Sequence, residues 1–255
     1  MLLKALIIVA LLVMVSGCSA TAEDPGKAAK AKGPVFEDKF EKGLVNWKAE
    51  GPHVVEAKDG RLYVKTPGES KAGQYIWCRA ELPDDFRIEW DVTPVSASGF
   101  FLIFFCQRGV KGEDILGKEL FEDYMNWKKW GAYEDFDKYV SAPNRRGHHQ
   151  SRIRGYHISY RRNENANCNF RKNPGLNLLL SQRIDALLPK DKTAHAELTK
   201  IGGRVKLVVN GKLFMDHTDP EKPWSGGRFG FRNVYESEGY YDNVKVFDLS
   251  KGEGQ

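Results

Sequence analysis

Apolar and polar residues alternate with a period of two from about Val35 to the end of the chain. The alternating segments are short and end at turn residues, which is typical of antiparallel β structure. Asn210-Gly211 separates two of them, and both residues tolerate the positive φ of a hairpin turn. The pattern therefore predicts an all-β sandwich of two antiparallel sheets. The predicted strands are Arg61–Thr66, Phe86–Val92, Gly99–Phe105, Tyr156–Arg162, His195–Ile201, Arg204–Asn210 and Tyr240–Leu249.

Residues 112–150 interrupt this pattern and predict one long loop insertion with short helical turns across one face. A connection of this length in a compact domain is usually functional or disordered, and its Trp and Tyr content argues against disorder. Trp127 and Trp130 are candidates for stacking on sugar faces, and simple packing of the loop is the alternative. Tyr133 and His148 are candidates for substrate contact or for removing a sugar-ring proton.

The beginning of the chain predicts export and lipid anchoring. Residues 1–17 have one lysine before an apolar run that is too short for a confident membrane span, and they end in small residues before Cys18. This ending resembles a bacterial lipobox, so we expect a lipidated Cys18 and a location in the cell envelope, on the outer membrane or the periplasmic face. The alternative is an ordinary signal peptide cut nearby. Residues 18–34 predict a flexible tether, and 35–250 the folded domain.

Composition narrows the expected partners. The formal net charge is +5, a weak excess, and the sequence has no zinc spacing or RNA-binding signature. We therefore expect no nucleic acid partner. Beyond Cys18 the cysteines are Cys78, Cys106 and Cys168, an odd number without a close pair, so one disulfide and buried free thiols both remain open.

The stretch YHISYRRNENANCNFRKN, residues 156–173, has two strand-like runs that are rich in planar hydrogen-bonding groups. Alternation in the first run predicts that Tyr156, Ile158 and Tyr160 face the core. The opposite face of that run carries His157, Ser159 and Arg161.

In the second run, Asn169 and Arg171 share a face opposite Phe170. If the two runs pair as antiparallel neighbours, they form one polar patch together with His157 and Arg161. A guanidinium can donate two parallel hydrogen bonds to a carboxylate, and amides can bind ring hydroxyls, so the patch predicts a site for an acidic sugar. A solvated strand face with arginines paired to Asp and Glu is the alternative.

Phe86–Val92 places Glu89 and Asp91 two residues apart on one strand face. This spacing is that of acid/base or nucleophile pairs in retaining β-sandwich glycosidases, which makes Glu89 a catalytic candidate. An ion pair between Glu89 and the basic patch is the alternative.

The segments YHISYRRN, NFRKNPGLNLL and GGRFGFRNV resemble the YesU-like family, a domain-of-unknown-function family within the concanavalin-like superfamily. The resemblance covers roughly residues 35–249. It implies a jelly-roll sandwich and work on carbohydrate, because members tend to sit among genes for breakdown of pectin and other acidic polysaccharides. Related sandwiches often hold a structural calcium near the final strand, which would involve Asp242 with help from Asp38. No other cofactor is expected.

These observations lead to two functional hypotheses from different classes. The first is a polysaccharide lyase, in which Arg161, Arg171 and Asn169 neutralise a uronate and His157, or a loop tyrosine or histidine, is the base. A glycoside hydrolase that uses Glu89 is a variant of it. The second is a surface protein that binds acidic polysaccharide or oligosaccharide without cleaving it. A scaffold that binds another envelope protein is a third interpretation.

Overall fold

A computed structural model describes seven segments of the chain: residues 33–50, 54–66, 74–97, 99–117, 153–161, 166–184 and 188–250. All of them belong to one compact unit, Lys32–Gln255. The described residues contain no helix, and therefore none that is long and apolar enough to cross a membrane. The predicted signal peptide and nearly all of the tether lie outside these segments, as do residues 118–150 of the predicted loop.

Within these segments, fifteen strands form two antiparallel sheets, as the alternation predicts. In the eight-stranded sheet, β1 (Phe36–Asp38) and β4 (Arg61–Lys65) both pair with the same edge of β15 (Glu238–Asp248). In spatial order its main path is β13 (Lys212–Thr218), β12 (Arg204–Val209), β11 (Ala194–Ile201), β6 (Phe86–Pro94), β15 (Glu238–Asp248), β4 (Arg61–Lys65) and β3 (Val54–Lys58), with β1 (Phe36–Asp38) off this path.

The seven-stranded sheet packs against the first sheet and contains the arginine-rich stretch of the sequence. Its β8 (Ile153–Arg161) and β9 (Ala166–Asn173) correspond to the two strand-like runs of residues 156–173, and β8 begins three residues before the first run. In spatial order it contains β10 (Asn177–Ile184), β9 (Ala166–Asn173), β8 (Ile153–Arg161), β7 (Phe100–Gly109), β14 (Arg228–Val234), β5 (Gln74–Glu81) and β2 (Trp47–Glu50).

Each strand predicted from the alternation is present, with its ends shifted by at most a few residues. The predicted hairpin at Asn210-Gly211 is also confirmed, since it joins β12 to β13 and both residues have positive φ, 50° and 72°.

The core lies between the inner faces of the two sheets. On β6 the burial alternates strictly, with Phe86, Ile88, Trp90 and Val92 inside. From β14 and β15, Phe231 and Tyr241 stack in this core with ring centroids 4.2 Å apart. Period-two alternation thus assigns one face of each strand to the interior and leaves the other for function.

The three described cysteines, Cys78, Cys106 and Cys168, are free and buried. Of the two alternatives that the sequence left open, the structure has the buried thiols. Burial raises the pKa of each thiol to about 12, because the thiolate loses its hydration in an apolar environment.

A buried polar network connects the start of β8 to the segment between β13 and β14. The Tyr156 hydroxyl donates to the Asp219 carboxylate at 2.5 Å and accepts a hydrogen bond from the Trp224 backbone N–H at 2.8 Å. The Lys172 ammonium lies 2.7 Å from the same carboxylate. Burial acts to raise the pKa of Asp219, but the hydrogen bonds from Lys172 and Tyr156 outweigh it and hold the pKa low. Every member of this network is paired, as buried polar groups require.

Candidate functional site

The predicted polar patch lies on the outer face of the seven-stranded sheet. β8 and β9 pair antiparallel, with His157 opposite Arg171 and Ser159 opposite Asn169. On the other face of the two strands, Tyr156, Ile158 and Phe170 are buried in the core. The expected pairing and the expected division of faces are therefore both observed.

The strands on either side extend the patch into two rows that run across the sheet. From β14 to β10, the first row is Gly230, Phe104, His157, Arg171 and Leu178, and the second is Arg232, Leu102, Ser159, Asn169 and Ser181. We call these two rows the arginine face. Neither row contains Asp or Glu between β14 and β10.

His157 forms part of the floor of the arginine face. Its ring is 5% exposed and stacks on Phe104, with ring centroids 4.8 Å apart and planes 18° apart. Its Nδ1 lies 3.5 Å from the Asn173 side-chain nitrogen. Burial, and then the positive charges of Arg232 and Arg171, lower the pKa of His157 to about 3. The imidazole is therefore neutral at pH 7, and a group with this pKa is a weak base, which weighs against the predicted base role.

Arg171 and Arg232 supply the positive charge of this face. Arg171 donates from Nη1 to the Leu176 carbonyl oxygen at 2.8 Å. The guanidinium of Arg232 lies over the Tyr75 ring, 4.6 Å from the centroid, and its Nε is buried without a hydrogen-bond partner. Among the described residues, no Asp or Glu forms a salt bridge with either arginine. The alternative of arginines neutralised by neighbouring carboxylates is not seen there.

Ser159 and Asn169 are half-buried polar groups between the two arginines. The Asn169 carbonyl oxygen accepts a hydrogen bond of 2.7 Å from the Ser181 hydroxyl. This bond orients the amide and leaves its nitrogen without a hydrogen-bond partner among the residues that the structure describes. The amide is therefore available as a donor to a bound molecule.

The backbone register gives the strand position of Arg161, which pairs with Phe100 one step beyond Ser159 along β8. This position places Arg161 at the end of the patch, next to the second row, and its predicted role as a contact to substrate stays a prediction. Trp127, Trp130, Tyr133, His148 and Cys18 lie outside the described residues, and their predicted roles also stay predictions.

Glu89 does not join the arginine face. It lies on β6, in the eight-stranded sheet, on the side that faces away from the core. Its carboxylate lies 2.8 Å from Nε of Arg87 on the same strand. The core separates Glu89 from the polar patch, so the alternative ion pair between Glu89 and the patch is wrong. The predicted catalytic use of Glu89 in a hydrolase stays a prediction.

The predicted calcium ligands Asp38 and Asp242 do not fit a common site. The Asp38 carboxylate is buried and accepts hydrogen bonds from the Phe40 N–H at 2.7 Å and the Trp47 Nε1 at 2.9 Å. By strand alternation Asp242 lies on the outer face of the same sheet, where it pairs across the strands with Asp91. In the described parts of the chain, no group of three or more His, Cys, Asp or Glu side chains is arranged to hold a metal ion.

The sequence interpretation missed Arg232. Its strand, in GGRFGFRNV, alternates as clearly as the others, with Phe229 and Phe231 inward, so the pattern places Arg232 outward. What the sequence does not reveal is that β14 lies beside β7 and so brings Arg232 into the same face as β8 and β9. The apolar part of this face, with Tyr75, Trp77 and Phe104, was missed for the same reason.

The fold and this surface define a concanavalin-like β-sandwich with a basic outer face on one sheet. The chain belongs to the family described as "Domain of unknown function (DUF1961)", whose model matches residues 36–246. It is similar to the "Uncharacterized protein YesU" of Bacillus subtilis (strain 168), with 24% identity over 213 residues that cover 79% of this chain and 88% of that protein.

Solved structures share the fold. One, described as a protein of unknown function with a galectin-like fold from Bacillus subtilis, has a TM-score of 0.67 and 22% identity, over 86% of this chain and 97% of the other. The carbohydrate-binding module CBM66 from Bacillus subtilis has a TM-score of 0.51 and 16% identity, over 80% and 96%. At these identities the likeness concerns the fold alone.

Proposed function

We propose that the arginine face binds acidic, uronate-containing polysaccharide at the bacterial cell surface. The observation that carries the proposal is the charge of this face. Arg171 and Arg232 have no salt-bridge partner among the described residues, and neither row contains an acidic side chain between β14 and β10. Half-buried arginines without neighbouring carboxylates attract an anion, which then supplies the missing charge.

The uncharged part of the face fits the rest of a sugar acid. Ser159 and Asn169 are half buried and polar, so they suit ring hydroxyls. His157 is neutral at pH 7 and therefore adds a polar surface without adding charge. The similarity in fold to a carbohydrate-binding module supports this reading.

The second candidate is a polysaccharide lyase that uses the same face. Arg171 beside Asn169 favours it, because elimination from a uronate requires groups that neutralise the carboxylate. A base is also required, and His157 is poorly suited with its pKa of about 3. Tyr133 or His148, predicted from the sequence, would have to supply it. The hydrolase version is less favoured, because Glu89 and Asp91 lie on the other sheet.

Electrophoresis through gels that contain polygalacturonate, alginate or glucuronan tests binding, with a neutral glucan gel as reference. We expect retardation in acidic gels only, and Arg171→Ala should reduce it. Arg204→Ala is the matched control, because Arg204 lies on the other sheet, where it pairs with Asp216. Equal migration of the protein in all of the gels would contradict the proposal.

Incubation with the same polymers separates the binding protein from the lyase. A lyase produces unsaturated ends, seen as an increase in ultraviolet absorbance, whereas a hydrolase releases reducing ends without that absorbance. A binding protein gives neither. The proposed anchor has its own test, since Cys18→Ala should move the protein from the membrane fraction to the soluble fraction.

A further inference from the structure

Arg232 and Arg171 lie far apart on the arginine face. Arg232 is on β14 and Arg171 on β9, with β7 and β8 between them. Three strand spacings correspond to about 14 Å across the sheet. Arg171 is also displaced along the strands, because it lies in the neighbouring row.

Each guanidinium is held by a contact with a neighbouring group. Arg232 lies over the Tyr75 ring, and that ring packs on Phe104 of β7 with ring centroids 5.4 Å apart. Arg171 donates to the Leu176 carbonyl oxygen, in the turn between β9 and β10. Both charges also act on His157, which lies on β8 between the two strands, so the arginines flank this residue.

The surface between the arginines is uncharged at pH 7. The half-buried Ser159 and Asn169 supply its accessible polar groups, and the buried Leu102, Phe104 and neutral His157 lie beneath. A single hexuronate carries one carboxylate and is much smaller than the gap, so it can contact only one arginine. A chain of several units has further carboxylates and can cross the uncharged floor.

We propose that the arginine face binds an oligouronide that runs across the strands, with one carboxylate held by Arg232 and another, several sugar units away, held by Arg171. The inference rests on the proposed function and deepens it, because it makes the ligand an internal stretch of an acidic chain. Ser159 and the Asn169 amide nitrogen then contact ring hydroxyls between the two charges.

Two-point binding predicts a step in affinity with ligand length. A ligand too short to reach both arginines binds at one, whereas a longer ligand gains from the second contact as an intramolecular event. Titration calorimetry with oligogalacturonides and oligoglucuronides, from the monomer upward, measures this step. We expect the affinity of the wild-type protein to rise by at least about tenfold at the length that reaches both arginines.

Arg171→Gln and Arg232→Gln should each remove the step, because either variant leaves one charged contact. Arg204→Gln, on the other sheet, should retain it. Arg232→Lys should retain part of the step, since it keeps the charge, and it guards against an effect of Arg232→Gln on folding. Thermal unfolding of each variant checks that the fold is intact.

Two results distinguish a failure of the two-point inference from a failure of the proposed function. If acidic polymers bind but affinity shows no step, or the step survives Arg232→Gln, the two-point inference is wrong and the proposed function stands. If no acidic polymer binds the wild-type protein, the proposed function itself is wrong and the two-point inference falls with it.

Discussion

His157 lies directly opposite Arg171 on the β8–β9 pair, and its ring is uncharged beside that guanidinium. The folded-state pKa of about 3 is below the unperturbed value of 6.5. Between these values the unfolded chain binds more protons at this residue than the folded protein does. The free energy of unfolding therefore decreases as the pH is lowered from about 6.5 towards 3, by up to about 1.4 kcal/mol for each pH unit from this group, and above about pH 6.5 the group has no effect.

His157→Gln should flatten this acid dependence, because it removes the group that must stay neutral in the folded state. Urea unfolding at about pH 7 and about pH 5 measures the difference for the wild-type protein and the variant. An unchanged pH dependence in His157→Gln would mean that the pKa of His157 is not lowered in the folded protein.

Much of this surface follows from period-two alternation, which assigns His157, Ser159, Asn169 and Arg171 to one polar face. That assignment depends on local sequence alone, since successive side chains on a strand point to opposite faces. The addition of Arg232 and the exclusion of Glu89 depend on which strands are neighbours. Strand order comes from long-range pairing within the sandwich, and a single sequence does not record it.

The protonation state of His157 also could not be predicted from the sequence. Alternation placed it on a polar face, where an exposed histidine with an ordinary pKa would be expected. The ring of Phe104 on β7 stacks against it, and burial keeps it uncharged. The candidate base thus became part of an uncharged floor because of its tertiary neighbours.

Tyr156→Phe should lower the free energy of unfolding by about 1–3 kcal/mol. The hydroxyl donates to the buried Asp219 and accepts from the Trp224 backbone N–H, so its removal leaves two buried polar groups short of a partner. Urea unfolding at neutral pH measures the change.

Tyr63→Phe is the matched control, because the Tyr63 hydroxyl donates to Glu238 at 2.6 Å where that carboxylate is partly exposed. Water can replace the lost bond there, so we expect a smaller change, about 0.5–1 kcal/mol. Equal effects of the two substitutions would mean that the Asp219 network contributes no more than a surface hydrogen bond.

Gly155→Ala should destabilise the fold by about 2–4 kcal/mol, through strain and overlap together. Gly155 has φ +143°, and a Cβ there would lie 2.3 Å from the Gln107 side-chain nitrogen. That nitrogen cannot easily move, because it donates to the carbonyl oxygens of Phe105 and Tyr156 at 2.9 and 2.8 Å.

Gly43→Ala separates the two causes. Gly43 also has positive φ, +75°, but a Cβ there meets nothing within 4 Å. We expect a cost of about 1–2 kcal/mol from backbone strain alone. If thermal or urea unfolding gave the two variants the same stability, the tight packing of Gln107 over Gly155 would not contribute.

The thiols of Cys78, Cys106 and Cys168 should resist alkylation in the folded protein. The thiolate is the reactive form, and a pKa of about 12 leaves only about one thiol in ten thousand ionised at pH 8. Burial also denies access to the reagent. Iodoacetamide treatment followed by peptide mass analysis should find the three residues unmodified in native protein and modified in denaturant without added reductant. Modification that required a reductant would instead indicate a disulfide, and modification in native protein would indicate that the β-sandwich opens locally at the strand that carries the reacted residue.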